Sequence, residues 1–292
     1  MNQTQIEHVK YEWPLQVSVI PEFIEPNTAA TVARELRDVT SSLGQFVKYD
    51  NDWERQKYTL HSLDLMPTSV RDQIELYRSP GFISKLELAT GLCNLIPDQA
   101  NHGSGIHCTL PGGYLNVHQD FTVLPSSYGR PKELKRVLNL LVFLNPYVNP
   151  ITAQTSGGEF EIWNDTMTQC VRSVRPIFNT AVLFWTPGVN HGQPNPWCAP
   201  KGQNRISLSA YYYQECDPSS IEHWSTLYRL RPGECETTDQ FKARIKRASP
   251  QRYATITTTP SDMAKGNSSD QSSLSGRKSS RRNECTPVRT AH

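Results

Sequence analysis

The spacing of apolar residues changes from a helical to an alternating period about a third of the way along the chain. In the segment 27–39, apolar residues recur on one helical face, and Asn27 is a candidate cap for this predicted helix. A short strand is predicted before it, in LQVSVI. A second helical stretch covers residues 69–92 and is interrupted by Ser79-Pro80-Gly81. The first third of the chain is therefore predicted to be rich in helix.

From Ile106 onward, short strand-like runs alternate between apolar and polar residues and are separated by Gly and Pro. No crossover helix fits between them, which favours antiparallel pairing over a parallel sheet. We therefore expect an α+β protein whose core is a double-stranded β-helix, or jelly roll, with supporting N-terminal helices. The six runs are IHCTL, YLNVHQD, RVLNLLVFLN, GGEFEIW, TAVLFWT and RISLSAYYY.

These patterns divide the chain into five parts. The last part contains almost no large apolar residues, so it cannot bury enough surface to offset the entropy of ordering. The predicted parts are a flexible N-terminus (1–16), a helix-rich part (17–104), the jelly-roll core (105–215), a helical segment (216–254) and a disordered, basic Ser/Thr-rich tail (255–292).

Charge and composition narrow the classes of partner. The net charge is +2, and six basic against three acidic residues lie beyond residue 254, so the tail carries +3 and the body −1. A body of this charge does not favour nucleic acid as a partner. No apolar run approaches the roughly 20 residues of a spanning helix, so no membrane partner is expected. The oligomeric state stays open.

The seven cysteines are widely separated and contain no C-x-x-C, so we expect reduced thiols rather than disulfides or a zinc ribbon. The N-terminal sequence lacks the charged and then apolar layout of a signal peptide. Both features predict a cytoplasmic location.

One strand carries candidate metal ligands. Side chains alternate between the faces of a strand, so His118 and Asp120 point to one side and Gln119 to the other. Two histidines and one carboxylate bind iron(II) on one face and leave open positions for a cosubstrate and O₂. His191 follows the later strand TAVLFWT and meets the demand for a third ligand that is distant in sequence.

A candidate anion-binding residue follows the third ligand. Arg205 comes fourteen residues after His191, at the start of the next strand, so a strand, a loop and a returning strand would bring it to the same cavity. Its planar guanidinium can bind a carboxylate through two hydrogen bonds. Ser207 and Ser209 share its face of the strand and can add a hydroxyl.

Together these residues resemble the 2-oxoglutarate–Fe(II) oxygenase superfamily, specifically its prolyl 4-hydroxylase-like branch. The resemblance rests on H-x-D, a histidine about 70 residues later and R-x-S fourteen residues after that. The sequences LPGG, RVLNLLVFLN and GGEFEIW also match. It covers residues 105–214, with weaker similarity in VIPEFIEPNTAATVARELRD.

The resemblance implies that His118, Asp120 and His191 bind iron, that Arg205 anchors 2-oxoglutarate, and that Ser209 is the hydroxyl residue beyond it. The implied cofactors are Fe(II), 2-oxoglutarate and O₂, with ascorbate as an optional addition. The implied reaction hydroxylates an unactivated C–H bond of a prolyl residue or a small molecule and releases succinate and CO₂. The alternative is a jelly-roll binding protein that keeps the metal but performs no turnover.

The sequence departs from the pattern at two positions. Relatives often have tyrosines that bind 2-oxoglutarate where this chain has Leu110 and Phe143. Asn139, on the same strand face as Phe143, is a candidate substitute. Because Asp120 is present, the ligand set favours hydroxylation over halogenation.

The segment 121–136 is longer than a hairpin connection needs, and loops of this length beside an active site often act as lids. Tyr128, Arg130, Lys132 and Lys135 are its candidate substrate contacts. A solvated surface loop is the competing interpretation.

Overall fold

The computed structural model describes most of the chain up to residue 243. The described residues are 1–13, 16–124, 133–145, 157–217, 226–234, 239–240 and 243. The predicted tail and most of segment 216–254 therefore lie outside the described residues. No helix within the described ranges is long and apolar enough to cross a membrane.

Four α-helices precede the jelly roll in the described part of the chain. They are α1 (Gln3–Glu12), α2 (Pro26–Thr40), α3 (Thr68–Arg78) and α4 (Pro80–Thr90). The interruption at residue 79 is confirmed, because Ser79 ends α3 and its side chain caps α4 by accepting from the Phe82 amide. Pro80 then occupies the first turn of α4, where its missing N–H costs nothing.

The N-terminus contains a helix that the sequence did not predict: Asn2 and Gln5 form a capping box at the start of α1, and Ile6 and Val9 are buried. One N-terminal prediction is wrong. The cap of α2 is Glu25 rather than Asn27, since the Glu25 carboxylate accepts from the backbone amides of Asn27 and Thr28.

Thirteen strands occur among the described residues, and the pairings between them are antiparallel. The central order is β1-β10-β7-β12-β5-β11-β8-β9. The strands are β1 (Val17–Ile20), β2 (Val47–Tyr49), β3 (Glu54–Leu60), β4 (Ile96–Pro97), β5 (Gly105–Gln119), β6 (Val123–Leu124), β7 (Glu133–Phe143), β8 (Phe160–Trp163), β9 (Cys170–Val174), β10 (Thr180–Trp185), β11 (Asn190–Gln193), β12 (Arg205–Cys216) and β13 (Leu227–Tyr228).

The long strand β5 joins the two layers of the jelly roll. Its first half pairs with β12, its second half pairs with β11 and β13, and β3 pairs with parts of both halves. Two predicted strands, IHCTL and YLNVHQD, are thus one continuous strand. The predicted α+β class and jelly-roll core are confirmed.

The hairpin β2–β3 and the strand β13 were not anticipated. β2 and β3 lie in the part predicted to be helix-rich, and β3 pairs with the first half of β5. The prediction of a helix through SIEHWSTLYRL is wrong at Leu227 and Tyr228, which pair with Gln119 and His118. Backbone pairing with the exposed edge of β5 outweighs the local helix propensity of these residues.

The period of two along β7, β10 and β12 separates the hydrophobic core from the interior of the barrel. One set of side chains, including Leu138, Leu140 and Leu208, packs against the four helices. The other set points between the two layers and includes Asn139, Phe143 and the Arg205 side of β12. The helices therefore cover the outer face of one sheet and leave its inner face free for a site.

Candidate active site

The inner faces of the two layers enclose a cavity of about 620 Å³. Both layers contribute to it, together with the hairpin β2–β3, the loop at residues 100–103 and the strand β13. All seven site residues predicted from the sequence line this cavity: His118, Asp120, Asn139, His191, Arg205, Ser207 and Ser209.

His118, Asp120 and His191 converge at one point on the wall. His118 lies on β5 directly opposite His191 on β11, and Asp120 follows the end of β5. Asp120 Oδ1 is 3.3 Å from His118 Nε2, and Asp120 Oδ2 is 3.3 Å from His191 Nε2. One potential ligand atom from each residue lies within 4.8 Å of the others. This spacing lets the three side chains bind a single ion.

The backbone sets the orientation of both imidazoles. His118 Nδ1 is 2.8 Å from the carbonyl oxygen of Asn116, and His191 Nδ1 is 3.0 Å from that of Val189. A carbonyl only accepts, so each Nδ1 carries the proton and each Nε2 presents a lone pair to Asp120 and the cavity.

The electrostatics favour the protonation states that a metal requires. Burial alone would raise the pKa of Asp120, but the charge of Arg136, followed by the two neighbouring imidazoles, outweighs burial and holds that pKa well below its usual range. Burial, and secondarily His191, lowers the pKa of His118. An ionised carboxylate and a neutral imidazole are the forms that coordinate metal.

Arg136 and Asn139 hold the Asp120 carboxylate. Arg136 Nη2 and Asn139 Nδ2 each lie 3.0 Å from Asp120 Oδ2, and Arg136 Nε donates to Asn139 Oδ1 at 2.9 Å. The Arg136 guanidinium stacks 3.4 Å from the centre of the Tyr211 ring and 4.7 Å from that of Phe121. Both ends of the Asn139 amide are thus engaged within the protein, and this geometry does not support the predicted contact of Asn139 with 2-oxoglutarate.

Arg205 lies in the same cavity and has no carboxylate within ion-pair distance among the described residues. Its Nε donates to the carbonyl oxygen of Gly158 at 2.8 Å, and its guanidinium carbon lies 4.9 Å from the centre of the Phe143 ring. Burial lowers the pKa of Arg205 to about 9, and Glu159 opposes this only in part. Arg205 is therefore a buried cation with no counter-ion among the described residues.

The two serines near Arg205 differ in their partners. Ser207 Oγ is buried and has no hydrogen-bond partner within the described ranges, so it is free to donate to a ligand. Ser209 lines the cavity one pleat further along β12. Phe143, which departs from the family pattern, supports the guanidinium of Arg205 instead of offering a hydroxyl. Leu110 packs against the main hydrophobic core.

The turn at Gly157-Gly158 positions Arg205. Gly158 has φ +71°, and a Cβ there would lie 2.6 Å from the Trp197 ring and 3.3 Å from Arg205 Cδ. Gly157, at φ +81°, passes even closer to the backbone of Pro196. Only glycine combines this left-handed conformation with so close an approach.

Sequence reasoning missed several residues of the cavity. By strict alternation Arg136 would face away from Asn139, but the register between β7 and β12 shifts at Tyr212 and Tyr213, which leaves Val137 as an extra residue. This bulge turns Arg136 into the cavity. The sequence contains no local signal for it.

Tyr228 was also missed. Its ring stacks on Trp53 at 4.5 Å, lies 5.7 Å from the ring of His118, and its hydroxyl donates to Glu54 at 3.2 Å. It reaches the cavity only because β13 adds to the edge of β5.

The predicted lid is mostly outside the described residues. Tyr128, Arg130 and Lys132 fall in the undescribed range 125–132. Lys135 lies on β7 opposite Val123 and is not among the described residues that line the cavity.

Residues 104–213 match the family model described as the 2OG-Fe(II) oxygenase superfamily. A prolyl hydroxylase from Trichoplax adhaerens, solved with a peptide fragment of hypoxia inducible factor, is similar in fold, with a TM-score of 0.51 and 17% identity over 71% of this chain and 88% of that chain. A prolyl-4-hydroxylase from Pseudomonas putida gives a TM-score of 0.50 and 16% identity over 72% of this chain and 99% of that chain. No curated protein matches the chain significantly in sequence.

The family match and the cavity agree on the class of protein. The matched segment contains the H-x-D pair, the distant histidine and Arg205 in the order read from the sequence. Residues 104–213 match the model of the 2OG-Fe(II) oxygenase superfamily, a superfamily of enzymes, so the resemblance inferred from the sequence is confirmed over that segment. The two prolyl hydroxylases, at 17% and 16% identity, establish likeness of fold.

Proposed function

We propose that this protein is an Fe(II)- and 2-oxoglutarate-dependent dioxygenase that hydroxylates an unactivated C–H bond. In this proposal His118, Asp120 and His191 bind the iron and Arg205 binds the distal carboxylate of 2-oxoglutarate. The observation that carries it is a buried arginine that has no counter-ion in the described part of the chain and shares its cavity with a convergent His-Asp-His set. Burial of an unpaired cation is costly, so a site that keeps one is built for an anion.

The donor set fits the proposed metal. Two neutral imidazoles and one ionised carboxylate are the ligands of non-haem iron(II) oxygenases. When bound, the iron would supply the redox chemistry with O₂ that couples decarboxylation of 2-oxoglutarate to oxidation of a C–H bond, leaving succinate and CO₂.

The protein itself would bind and orient the cosubstrate. Arg205 can donate two hydrogen bonds to the distal carboxylate, and Ser207 Oγ is free to donate a third. Phe143 packs beneath the guanidinium and excludes water from that side. Arg136 and Asn139 keep the Asp120 carboxylate ionised and fixed in direction.

The oxidised substrate is a prolyl residue or a small molecule in this proposal. The prolyl option is supported by the fold shared with two prolyl hydroxylases. The small-molecule option is supported by a cavity whose volume lies within the range of ordinary ligand pockets.

The test measures turnover of 2-oxoglutarate. Purified protein with Fe(II), ascorbate and O₂ should release succinate even without the substrate that is hydroxylated, and His191→Ala should abolish both iron binding and release. His8→Ala, which removes a half-exposed histidine on α1, is the matched control and should leave both intact. Iron and 2-oxoglutarate that bind without any succinate release would instead favour the metal-retaining binding protein.

A further inference from the structure

A lysine, a histidine and an arginine on three other strands line the cavity besides Arg205 on β12. Lys57 on β3, His107 on β5 and Arg136 on β7 form this basic wall, and Tyr211 packs against Arg136. Lys57 is partly buried, and its Nζ lies 2.6 Å from Glu54 Oε2. The wall lies on the inner face, so its charges act on whatever enters the cavity.

The three residues of the basic wall share one electrostatic environment. Burial lowers the pKa of His107 well below its usual value, and the charges of Lys57 and Arg136 lower it further. His107 Nε2 also lies 2.9 Å from the carbonyl oxygen of Gly103. The imidazole is therefore neutral, and the positive potential comes from Lys57 and Arg136.

The ionised groups of the cavity do not balance. Among the Lys, Arg, Asp and Glu side chains of the described lining there are three cations and two carboxylates, an excess of one positive charge. The cations are Lys57, Arg136 and Arg205, and the carboxylates are Glu54 and Asp120.

Iron and cosubstrate together leave this excess unchanged. Fe(II) adds two positive charges and 2-oxoglutarate adds two negative ones, so the described lining with both bound would still carry +1. The location of the excess changes, however. The distal carboxylate of 2-oxoglutarate would neutralise Arg205. The metal would neutralise Asp120, which is the only carboxylate that Arg136 contacts among the described residues, so the excess positive charge would shift to Arg136.

We propose that the basic wall binds a carboxylate of the molecule that is hydroxylated, and that this molecule is a small monoanion. This rests on the proposed function, since the charge count assumes bound iron and 2-oxoglutarate. A monoanion cancels the excess charge, whereas a neutral peptide segment leaves a buried cation unbalanced and a phosphate dianion leaves an unbalanced negative charge.

Lys57 and Glu54 determine how strongly the wall attracts an anion. Glu54 already pairs with Lys57 and accepts from the Tyr228 hydroxyl, so it competes with any incoming carboxylate. Removing the Lys57 charge should weaken carboxylate binding, and removing the Glu54 charge should strengthen it. Because the two substitutions act in opposite directions, a general loss of folding cannot reproduce both.

The experiment measures binding of matched acid and amide pairs by calorimetry. The probes are acetate and acetamide, benzoate and benzamide, and N-acetyl-L-proline and N-acetyl-L-prolinamide. They are titrated into the protein under anaerobic conditions with Fe(II) and saturating 2-oxoglutarate, which keeps Arg205 occupied. At least one acid should bind about tenfold or more tightly than its amide.

Three variants complete the experiment. Lys57→Met should weaken binding of that acid about tenfold, and Glu54→Gln, which can keep the contact with Tyr228, should tighten it severalfold. Lys48→Met is the matched control, because Lys48 is half-exposed on the same hairpin and pairs with Asp50 outside the cavity. It should leave the affinity unchanged.

Several outcomes would overturn the proposal. The first is equal affinity for acids and amides, and the second is a dissociation constant above about 10 mM for every acid. The third is tighter binding of inorganic phosphate than of any acid. The fourth is an acid affinity that does not change when Lys57 or Glu54 is substituted. Failure of 2-oxoglutarate to bind would instead contradict the proposed function. Titrating the acids into these variants without metal measures how the acid affinity depends on Lys57, whether or not 2-oxoglutarate binds. The failure of one proposal can therefore be distinguished from the failure of the other.

Discussion

Arg136 and Arg205 are both buried arginines in one cavity, yet their surroundings differ. Arg136 is paired with Asp120, bonded to Asn139 and stacked on Tyr211. Arg205 touches only a backbone carbonyl and a phenyl ring, and no carboxylate lies within ion-pair distance in the described part of the chain.

The difference indicates two kinds of role. A buried cation that is paired with a carboxylate stabilises the fold and orients a neighbour, and its loss leaves the partner charge uncompensated. A buried cation without a counter-ion lowers the stability of the ligand-free protein and becomes favourable only when an anion binds. We therefore expect substitution of Arg136 to lower stability, and substitution of Arg205 to weaken cosubstrate binding without lowering stability.

The largest effect is expected for Arg136→Met, which leaves the Asp120 carboxylate buried without its cation. The free energy of unfolding of the metal-free protein should fall by about 3–5 kcal/mol in chemical denaturation. Added Fe(II) should restore more stability to this variant than to the wild type, because the metal supplies the missing positive charge. Arg172→Met is the control and should cost about 0–1 kcal/mol, since the Arg172–Glu12 pair is partly exposed.

Arg205→Met should separate binding from stability. Loss of a charge-assisted interaction worth about 2–3 kcal/mol should raise the KM for 2-oxoglutarate at least about thirtyfold. The ligand-free variant should be no less stable than the wild type, because an unpaired buried charge is removed. A loss of stability as large as that of Arg136→Met would contradict the assignment of Arg205 as a cation reserved for a ligand.

Gly158→Ala tests how Arg205 is positioned. The added methyl group strains the backbone and meets Trp197, so we expect a stability loss of about 2 kcal/mol and a severalfold rise in the KM for 2-oxoglutarate. Gly188→Ala is the matched control, because Gly188 also has φ +71° but a methyl group there would have no atom within 4 Å. It should cost stability and leave the KM unchanged.

The smallest effect is expected for Asn139→Ala. If the amide only orients Asp120, iron affinity should fall about fivefold through loss of about 1 kcal/mol, and the KM for 2-oxoglutarate should not change. Metal titration and succinate assays measure the two quantities. A rise in the KM with unchanged iron affinity would show that Asn139 contacts the cosubstrate after all.

Much of the fold followed from periodicity. The alternation along residues 138–143 of β7 and along RISLSAYYY separates the face that packs on the helices from the face toward the cavity. Local patterns failed where distant partners decide the structure. Residues 1–16 looked too polar to fold, yet α1 is buried on one face, and Leu227 and Tyr228 form a strand because β5 offers them an edge.

The sequence by itself determined which residues meet in the cavity where the order of the strands and the alternation of side chains along them are enough to place a residue. His118, Asp120, His191 and Arg205 are of this kind, because period two and a returning strand place them on one inner face. Only the tertiary structure decided how Arg136, Lys57 and Tyr228 join them. A one-residue bulge, an unpredicted hairpin and an added edge strand bring these residues in, and each depends on pairing between segments far apart in the chain, which no local pattern encodes.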